Sequence, residues 1–394
     1  MKERAARRDY VYTARNRANE PIYISRAYSK QYWVSKRERE LFFCPVCDRE
    51  VVIKLGSKRS WHFAHRVSTS CTGKAGKETL LHERGKKMLY TFFEKSFPRT
   101  KLESYLPQTK QRPDILIEAN QFVIEYQCSV ISVEQIVKRN DDYHAQRLKP
   151  IWVLGSNRLK RLGASMFRLQ EYEYYAIFTN NQQRFLYYFD PDIQTFCLLT
   201  NLISLHKNLI LANCQFIKMD QLTPANFFLP ASSQITAIAR VYDAFRKKAS
   251  TRTLLQFPHL LTYYLQMQRE QTPPIVGWSL PAQLYFLPSP YEWQTFFIFE
   301  GLETLPLHHK VSRSTILKQF QSIYDRYQWR IRIRCARETV QVLIVSQYID
   351  LLVSFGYLKR HSDGVLERVS NAMDISEKNI ALMKKWTETC GNFK

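Results

Sequence analysis

Residues 112–129, RPDILIEANQFVIEYQCS, constrain this chain more than any other stretch of it. Asp114 stands near the start of one short apolar strand, and Glu125 and Gln127 interrupt the next. Side chains alternate along a strand, so residues two apart share a face. Phe122, Ile124, Tyr126 and Cys128 therefore fall on one face, and Val123, Glu125, Gln127 and Ser129 on the other. A carboxylate and an amide on an otherwise apolar strand are expensive to bury without a purpose. Paired carboxylates at adjacent strand ends suit Mg²⁺-dependent phosphodiester hydrolysis. That ion takes hard oxygen ligands, commonly one or two carboxylates with water and substrate phosphate.

The flanking segments read as layers around this hairpin. Residues 78–95 have a helical apolar stripe of Leu81, Met88, Leu89, Phe92 and Phe93. Glu78, His82 and Lys86 recur at i, i+4 and i+8 and share one side of that helix. They are candidate catalytic partners of Asp114, Glu125 and Gln127, although a solvated face of i,i+4 pairs has the same pattern. A strand is expected near 101–106, a helix from Ser132 to Gln146 with Ser132 as N-cap, and a buried strand at 150–155. RFLYYF (184–189) and TFCLLT (195–200) are further strands that extend the sheet. Helix, strands, helix, strand is an α/β layer pattern.

Charge narrows the partners. The 394 residues hold 58 Lys and Arg against 35 Asp and Glu, a net +23, which points to a polyanion, with nucleic acid ahead of anionic membrane. Only 11 Gly occur, with no GxGxxG or GKS/GKT loop, which argues against glycine-rich nucleotide-binding loops. No apolar signal core and no run near the roughly 20 residues of a membrane span is present. The eight Cys do not form a secreted disulfide framework, so a cytoplasmic location is expected.

The first 66 residues are basic, with strand-like runs at 21–24 and 51–54. Cys44-Pro-Val-Cys47 and His62-Phe-Ala-His65 supply two thiols and two imidazoles, the preferred donors of a structural Zn²⁺. A CxxC redox pair, or ordinary thiols beside core histidines, uses the same residues, and Cys71 is a poorly spaced substitute ligand. Residues 67–77 read as a linker, so the expected domains are 1–66, 67–220 and 221–394. In the last, 233–271 and 313–327 are expected to be helical on either side of a Pro-rich separator at 272–291. Within 341–368, a helix ending at Gly356 and a two-strand hairpin outline a winged helix. Arg330, Arg332 and Arg334 alternate with isoleucines as on a strand with one phosphate-tracking face. Arg246, Lys247, Lys248 and Arg252 form a second basic cluster.

Taken in order, CPVC…HFAH, Glu78…His82…Lys86, RPD…IEYQCS and Arg139…Tyr143…IWVLG resemble the competence protein CoiA-like family, over about residues 10–200 and more weakly beyond. The resemblance implies a nuclease-like core of PD-(D/E)xK, restriction-endonuclease type. It also implies a link to uptake and recombination of DNA in naturally transformable bacteria. It makes Asp114 the acid of the PD element and Glu125 the second acid, with Gln127 where the motif usually has Lys. Gln offers neutral donors and an acceptor where Lys offers a cation, and Lys86 is a candidate to supply that charge from the helix. Arg139 and Tyr143, four apart, are expected to contact a phosphate, brace the site or pack the helix on the sheet.

The fold expected is therefore α/β: a restriction-endonuclease-like mixed sheet flanked by helices, a small N-terminal β-rich zinc module and a mainly helical C-terminal domain. The expected function is metal-dependent cleavage of incoming DNA, single-stranded by preference, with Mg²⁺ or Mn²⁺ on Asp114 and Glu125 and the recombinase machinery as a partner. The alternative is a DNA-binding recombination factor without catalysis.

Overall fold

The structure, a computed structural model, describes residues 10–11, 13–18, 20–24, 28–44, 48–56, 61–66, 80–180, 183–229, 238–246, 258–267, 272–332, 337–362 and 364–375. The N-terminal module is a six-stranded sheet of β1 (Tyr10–Val11), β2 (Thr13–Arg15), β3 (Pro21–Tyr23), β4 (Phe42–Phe43), β5 (Glu50–Lys54) and β6 (His62–His65). A helix that the strand pattern did not reveal, α1 (Lys30–Arg39), is held on it by Trp33, which is buried with Ala14, Phe42, Cys44, Val51, Ile53 and Phe63. Ser29 caps this helix by accepting the Tyr32 N–H at 3.1 Å.

The central unit begins with α2 (Leu80–Glu94), β7 (Thr100–Leu102), β8 (Ile115–Ile117) and β9 (Phe122–Gln127). It continues through α3 (Val133–Ala145), β10 (Lys149–Gly155), β11 (Met166–Arg168), β12 (Phe178–Asn180), β13 (Gln183–Asp190), β14 (Thr195–His206) and β15 (Leu209–Lys218). Its sheet runs β11-β15-β14-β13-β10-β9-β8-β7, with β12 beside β13. The β9–β10 and β10–β13 pairs are parallel and the rest antiparallel. The mixed sheet follows from connection length: β8 turns directly into β9, whereas α3 carries the chain back so that β10 runs parallel to β9.

Both faces are covered, and alternation decides what goes where. Ile115, Ile124, Tyr126, Val153 and Tyr187 face Leu89, Phe92 and Phe93 of α2. Trp152, Leu154, Leu186 and Tyr188 face Ile136 and Val137 of α3. A capping box starts α3: Ser132 Oγ accepts the Gln135 N–H at 3.3 Å, and Gln135 Oε1 accepts the Ser132 N–H at 3.4 Å.

The remainder is built from α4 (Pro224–Phe228), α5 (238–246), α6 (Pro258–Gln266), α7 (Pro290–Phe296), β16 (Lys310–Val311), α8 (Arg313–Arg326), α9 (Arg337–Ser354), β17 (Leu358–Arg360) and β18 (Leu366–Arg368). Two sequence expectations change here. Phe227 and Phe228 of α4 pack into the α2 face of the central sheet, so that core extends past residue 220. The Pro-rich 272–291 segment does lie between helices, and its Ile275, Val276, Trp278, Leu280, Ala282 and Phe286 are the heart of the C-terminal core. Proline removes backbone donors but not apolar surface, and Gln294 and Gln347 side chains accept the Trp278 and Ala282 N–H groups there. The RIRIR alternation does not make a strand in the described residues: Ile331 forms one isolated bridge to Phe286. After α9, Gly356 takes φ +73° and the β17–β18 hairpin follows, joined by β16. No described helix is long and apolar enough to cross a membrane.

One close approach fixes α2 on the sheet. A Cβ on Gly85 would lie 2.2 Å from Cε1 of Tyr126, whose ring is 1% exposed and whose hydroxyl donates to the Phe189 carbonyl at 3.1 Å. Alanine gains about 1 kcal/mol of helix propensity, but overpacking a held ring costs about 1–3 kcal/mol. Gly85→Ala is therefore expected to lower the midpoint of denaturant unfolding. Gly163→Ala, where the nearest heavy atom is 3.8 Å away, should be close to neutral. Equal midpoints for the two variants would show that α2 does not depend on this contact.

Candidate active site at the ends of two core strands

The β8–β9 register pairs Ile115 with Ile124, and extending it one step sets Asp114 across from Glu125. Asp114 sits at the mouth of β8, where its Oδ2 accepts the Tyr126 N–H at 2.8 Å and ties its carboxylate to β9. From α2, His82 Nε2 lies 3.4 Å from Asp114 Oδ2 and Lys86 Nζ 3.9 Å from Oδ1. The His82 ring stacks on Tyr126, with centroids 5.6 Å apart and planes within 2°. The glycine that lets α2 close on Tyr126 thus brings both basic side chains to the acid. Glu78, the third member of the helical triplet, lies outside the described residues.

Lys86 is fully buried and makes a 2.5 Å ion pair with Glu103, whose other oxygen takes Arg112 at 2.8 Å. Glu103 and Arg112 were assigned no role from sequence. Arg112 stands in the RPD run itself. Glu103 had no usable signal, because it enters through a left-handed turn (φ +52°) just after β7. Its backbone N–H there donates to the Asp114 carbonyl at 2.8 Å.

Glu125 faces α3 and is 2% exposed. Arg139 and the Tyr143 hydroxyl both donate to its Oε1, and Arg139 also donates to Tyr143 at 3.0 Å. Arg139 and Tyr143 therefore brace Glu125, and Tyr143, fully buried, has no surface to offer a phosphate. Gln127 donates to the Ser129 carbonyl at 2.9 Å and its hydroxyl at 3.0 Å, at the outlet of β9.

The two acids are driven apart. For Asp114 burial opposes ionisation, but His82, Lys86 and the Tyr126 N–H outweigh it and hold the carboxyl at about 2. For Glu125 burial dominates; Arg139 and Tyr143 pull the other way, the Asp114 charge adds to the rise, and the carboxyl is pushed up to about 7. Arg139, which does not deprotonate in proteins, is held still more firmly protonated by Glu125.

Two carboxylates on neighbouring strands are the donor chemistry that Mg²⁺ or Mn²⁺ prefers, so Asp114 and Glu125 fit such an ion. Among the described residues no three His, Cys, Asp or Glu side chains gather as a metal cage. The zinc set fares differently. Cys47 lies outside the described residues, and His62 and His65 sit three apart on β6, which sends their side chains to opposite faces. Cys44 is buried among apolar residues.

The expected phosphate contacts also divide. Arg330 is exposed, and Arg334 lies outside the described residues. Arg332 is 2% exposed: it stacks on Tyr174, pairs with Glu171, and donates to the Leu284 and Lys207 carbonyls. Arg246 is likewise buried, over the Trp278 ring and bonded to the Pro274 and Val276 carbonyls. Both anchor the C-terminal core and neither tracks a phosphate. Lys247, Lys248 and Arg252 lie outside the described residues.

Three family models align along the chain in order: the competence protein CoiA N-terminal domain over residues 26–74, its nuclease-like domain over 78–232 and its C-terminal domain over 250–381. The chain belongs to the CoiA family of competence proteins. Competence protein CoiA of Bacillus subtilis (strain 168) is 26% identical over 338 residues, spanning 82% of this chain and 88% of that protein. No solved structure matches. His82, Lys86, Glu103, Asp114, Glu125, Gln127, Arg139 and Tyr143 all fall in the stretch matched by the nuclease-like domain.

The sign of the Glu125 shift makes a stability prediction. A carboxyl raised to about 7 in the folded chain stabilises it fully below the unfolded pKa, and that contribution is lost as pH rises through about 7. Asp114 acts oppositely, since its contribution is present above the usual carboxylate range and lost as pH falls through about 2. Between pH 4.5 and 7.5, Glu125→Gln should flatten a decline of roughly 3 kcal/mol at most. Denaturant midpoints at both pH values check this, and an undiminished decline in Glu125→Gln would assign it to another group.

Proposed function

We propose that this chain cleaves phosphodiester bonds of DNA during competence, with Asp114 and Glu125 holding Mg²⁺ or Mn²⁺. The observation that carries the reading is the carboxylate pair at adjoining strand ends, with His82 and Lys86 beside Asp114 and Arg139 on Glu125. The run α2-β7-β8-β9-α3-β10 supports a core of restriction-endonuclease type. The net charge of +23 suits a polyanionic substrate. Incoming single strands, handed on to a recombinase, are the substrate and partner this reading favours.

When bound, the ion supplies Lewis-acid polarisation of the phosphate. The chain does the rest. His82, aligned by Asp114 and by stacking on Tyr126, accepts the proton of the attacking water. Lys86 and Arg112, fixed by Glu103, set a positive field where negative charge grows. Gln127 orients water at the outlet of β9, and Arg139 and Tyr143 act through Glu125 as positioning residues.

A second reading is a DNA-binding recombination factor without catalysis. It is favoured by the Gln in place of Lys and by the occupation of Glu125 Oε1 by both Arg139 and Tyr143. Labelled single-stranded, duplex and branched DNA, incubated with Mg²⁺ or Mn²⁺, separates the two. The nuclease reading expects metal-dependent products that fall by about 10²–10³-fold in Asp114→Ala and Glu125→Ala. Wild-type protein that binds DNA tightly yet yields no product with either metal would leave the binding factor.

A further inference from the structure

Cys197 on β14 and Cys214 on β15 lie away from the acidic site, and the proposed reaction does not use them. The strand register pairs Cys197 with Phe216 and Leu199 with Cys214, so the two cysteines are diagonal neighbours on one face. Their sulfur atoms are 3.4 Å apart. Cys197 is buried and Cys214 is half-buried, so Cys214 is the thiol that a small solute reaches first.

Arg161 is fixed beside the pair. Its guanidinium lies 5.8 Å from the centroid of the Phe216 ring and donates to the Gly163 and Ala164 carbonyls at 2.9 and 3.0 Å. The hydrogen bond shared with Cys197 holds the Cys214 thiol at about 7; burial opposes this and Arg161 assists it. The same bond and burial push Cys197 up. Cys214, the more accessible sulfur, is thus the more readily ionised of the two, with Cys197 in contact behind it. Three residues past Cys197 the ladder is irregular between Thr200 and Ile203, with Asn201 at φ +51°.

We propose that Cys197 and Cys214 form a hydroperoxide-responsive thiol pair that closes to a reversible disulfide between β14 and β15. The Cys214 thiolate attacks the peroxide: an S–O bond forms, the O–O bond breaks, and the departing oxygen leaves as water after taking a proton. The Cys197 thiol then attacks the resulting sulfenic sulfur, an S–S bond forms, and the sulfenic oxygen leaves as a second water. The two thiols lose two electrons and two protons together, and hydrogen peroxide becomes two waters. A diagonal pair is set wider than a disulfide spans, so closure draws the strands together and a dithiol reopens it. The far ends of these strands place Ile203, Leu205 and Leu211 in the C-terminal core, so the bond forms on the two strands that join the central sheet to that core.

The test uses the full chain, treated with stoichiometric hydrogen peroxide, alkylated and digested with trypsin. Cleavage after Arg184, Lys207 and Lys218 puts each cysteine on its own peptide, 185–207 and 208–218. The expected product is these two peptides crosslinked with loss of two hydrogens, released by dithiothreitol. Cys197→Ser should leave Cys214 as a sulfenic acid trapped by dimedone, and Arg161→Gln should slow crosslinking roughly 3- to 10-fold as the thiolate fraction falls. Cys214 over-oxidised beside a free, alkylatable Cys197 in the wild type would overturn the proposal. So would either cysteine paired elsewhere, or no oxidation of either.

Discussion

The approach of α2 to β9 at Gly85 is the contact on which the site depends. Without a Cβ at that position the helix lies against the Tyr126 ring, and one helical turn on either side of the glycine becomes functional ground. His82 then stacks on the same ring, and Lys86 reaches past the strand edge toward Asp114 and Glu103. Tyr126 links the layers, because its ring carries the helix, its N–H holds Asp114 and its hydroxyl is tied to β13 through the Phe189 carbonyl. A small change of helix height would therefore move two basic groups relative to the acid, not one.

Burying so many charges in one place is expensive, and the arrangement keeps that cost low by near-balance. Glu103, Asp114 and Glu125 are faced by Lys86, Arg112, Arg139 and His82. Buried ion pairs seldom add net stability, because desolvation offsets the Coulomb gain. Such a cluster is better explained by what it prepares than by what it stabilises. The balance is uneven in detail: Asp114 has cations and a backbone donor on its side, whereas Glu125 feels the Asp114 charge as well as Arg139. A divalent cation between the two would relieve the repulsion that the protein's own groups leave in place.

The sequence disclosed much of this through period. Alternation separated Tyr126 from Glu125 correctly, and the i, i+4 spacing brought His82 and Lys86 together. Ser132 was legible as a cap because its chemistry is local. Glu103 was not legible, because it joins the site through a left-handed turn whose geometry no neighbouring residue type announces. The burial of the Pro-rich segment was not legible from its prolines, because the apolar residues between them decide it.

The arginines show why charge patterning is the weakest of these signals. Alternating Arg and Ile at 330–333 has the form of a basic strand face, yet Arg332 spends its donors on two carbonyls and Glu171 and its plane on Tyr174. Arg246 does the same with two carbonyls and Trp278, and Arg368 pairs with Glu303 in the hairpin. Guanidinium is suited to this use, since it stays charged, stacks on rings and satisfies several carbonyls at once. An Arg within an aromatic-rich sequence is thus as ready to serve as an internal clasp as a phosphate contact. The excess charge that attracts a polyanion has to be carried by other side chains, such as Arg330 and the Lys36, Arg37 and Arg39 turn that ends α1.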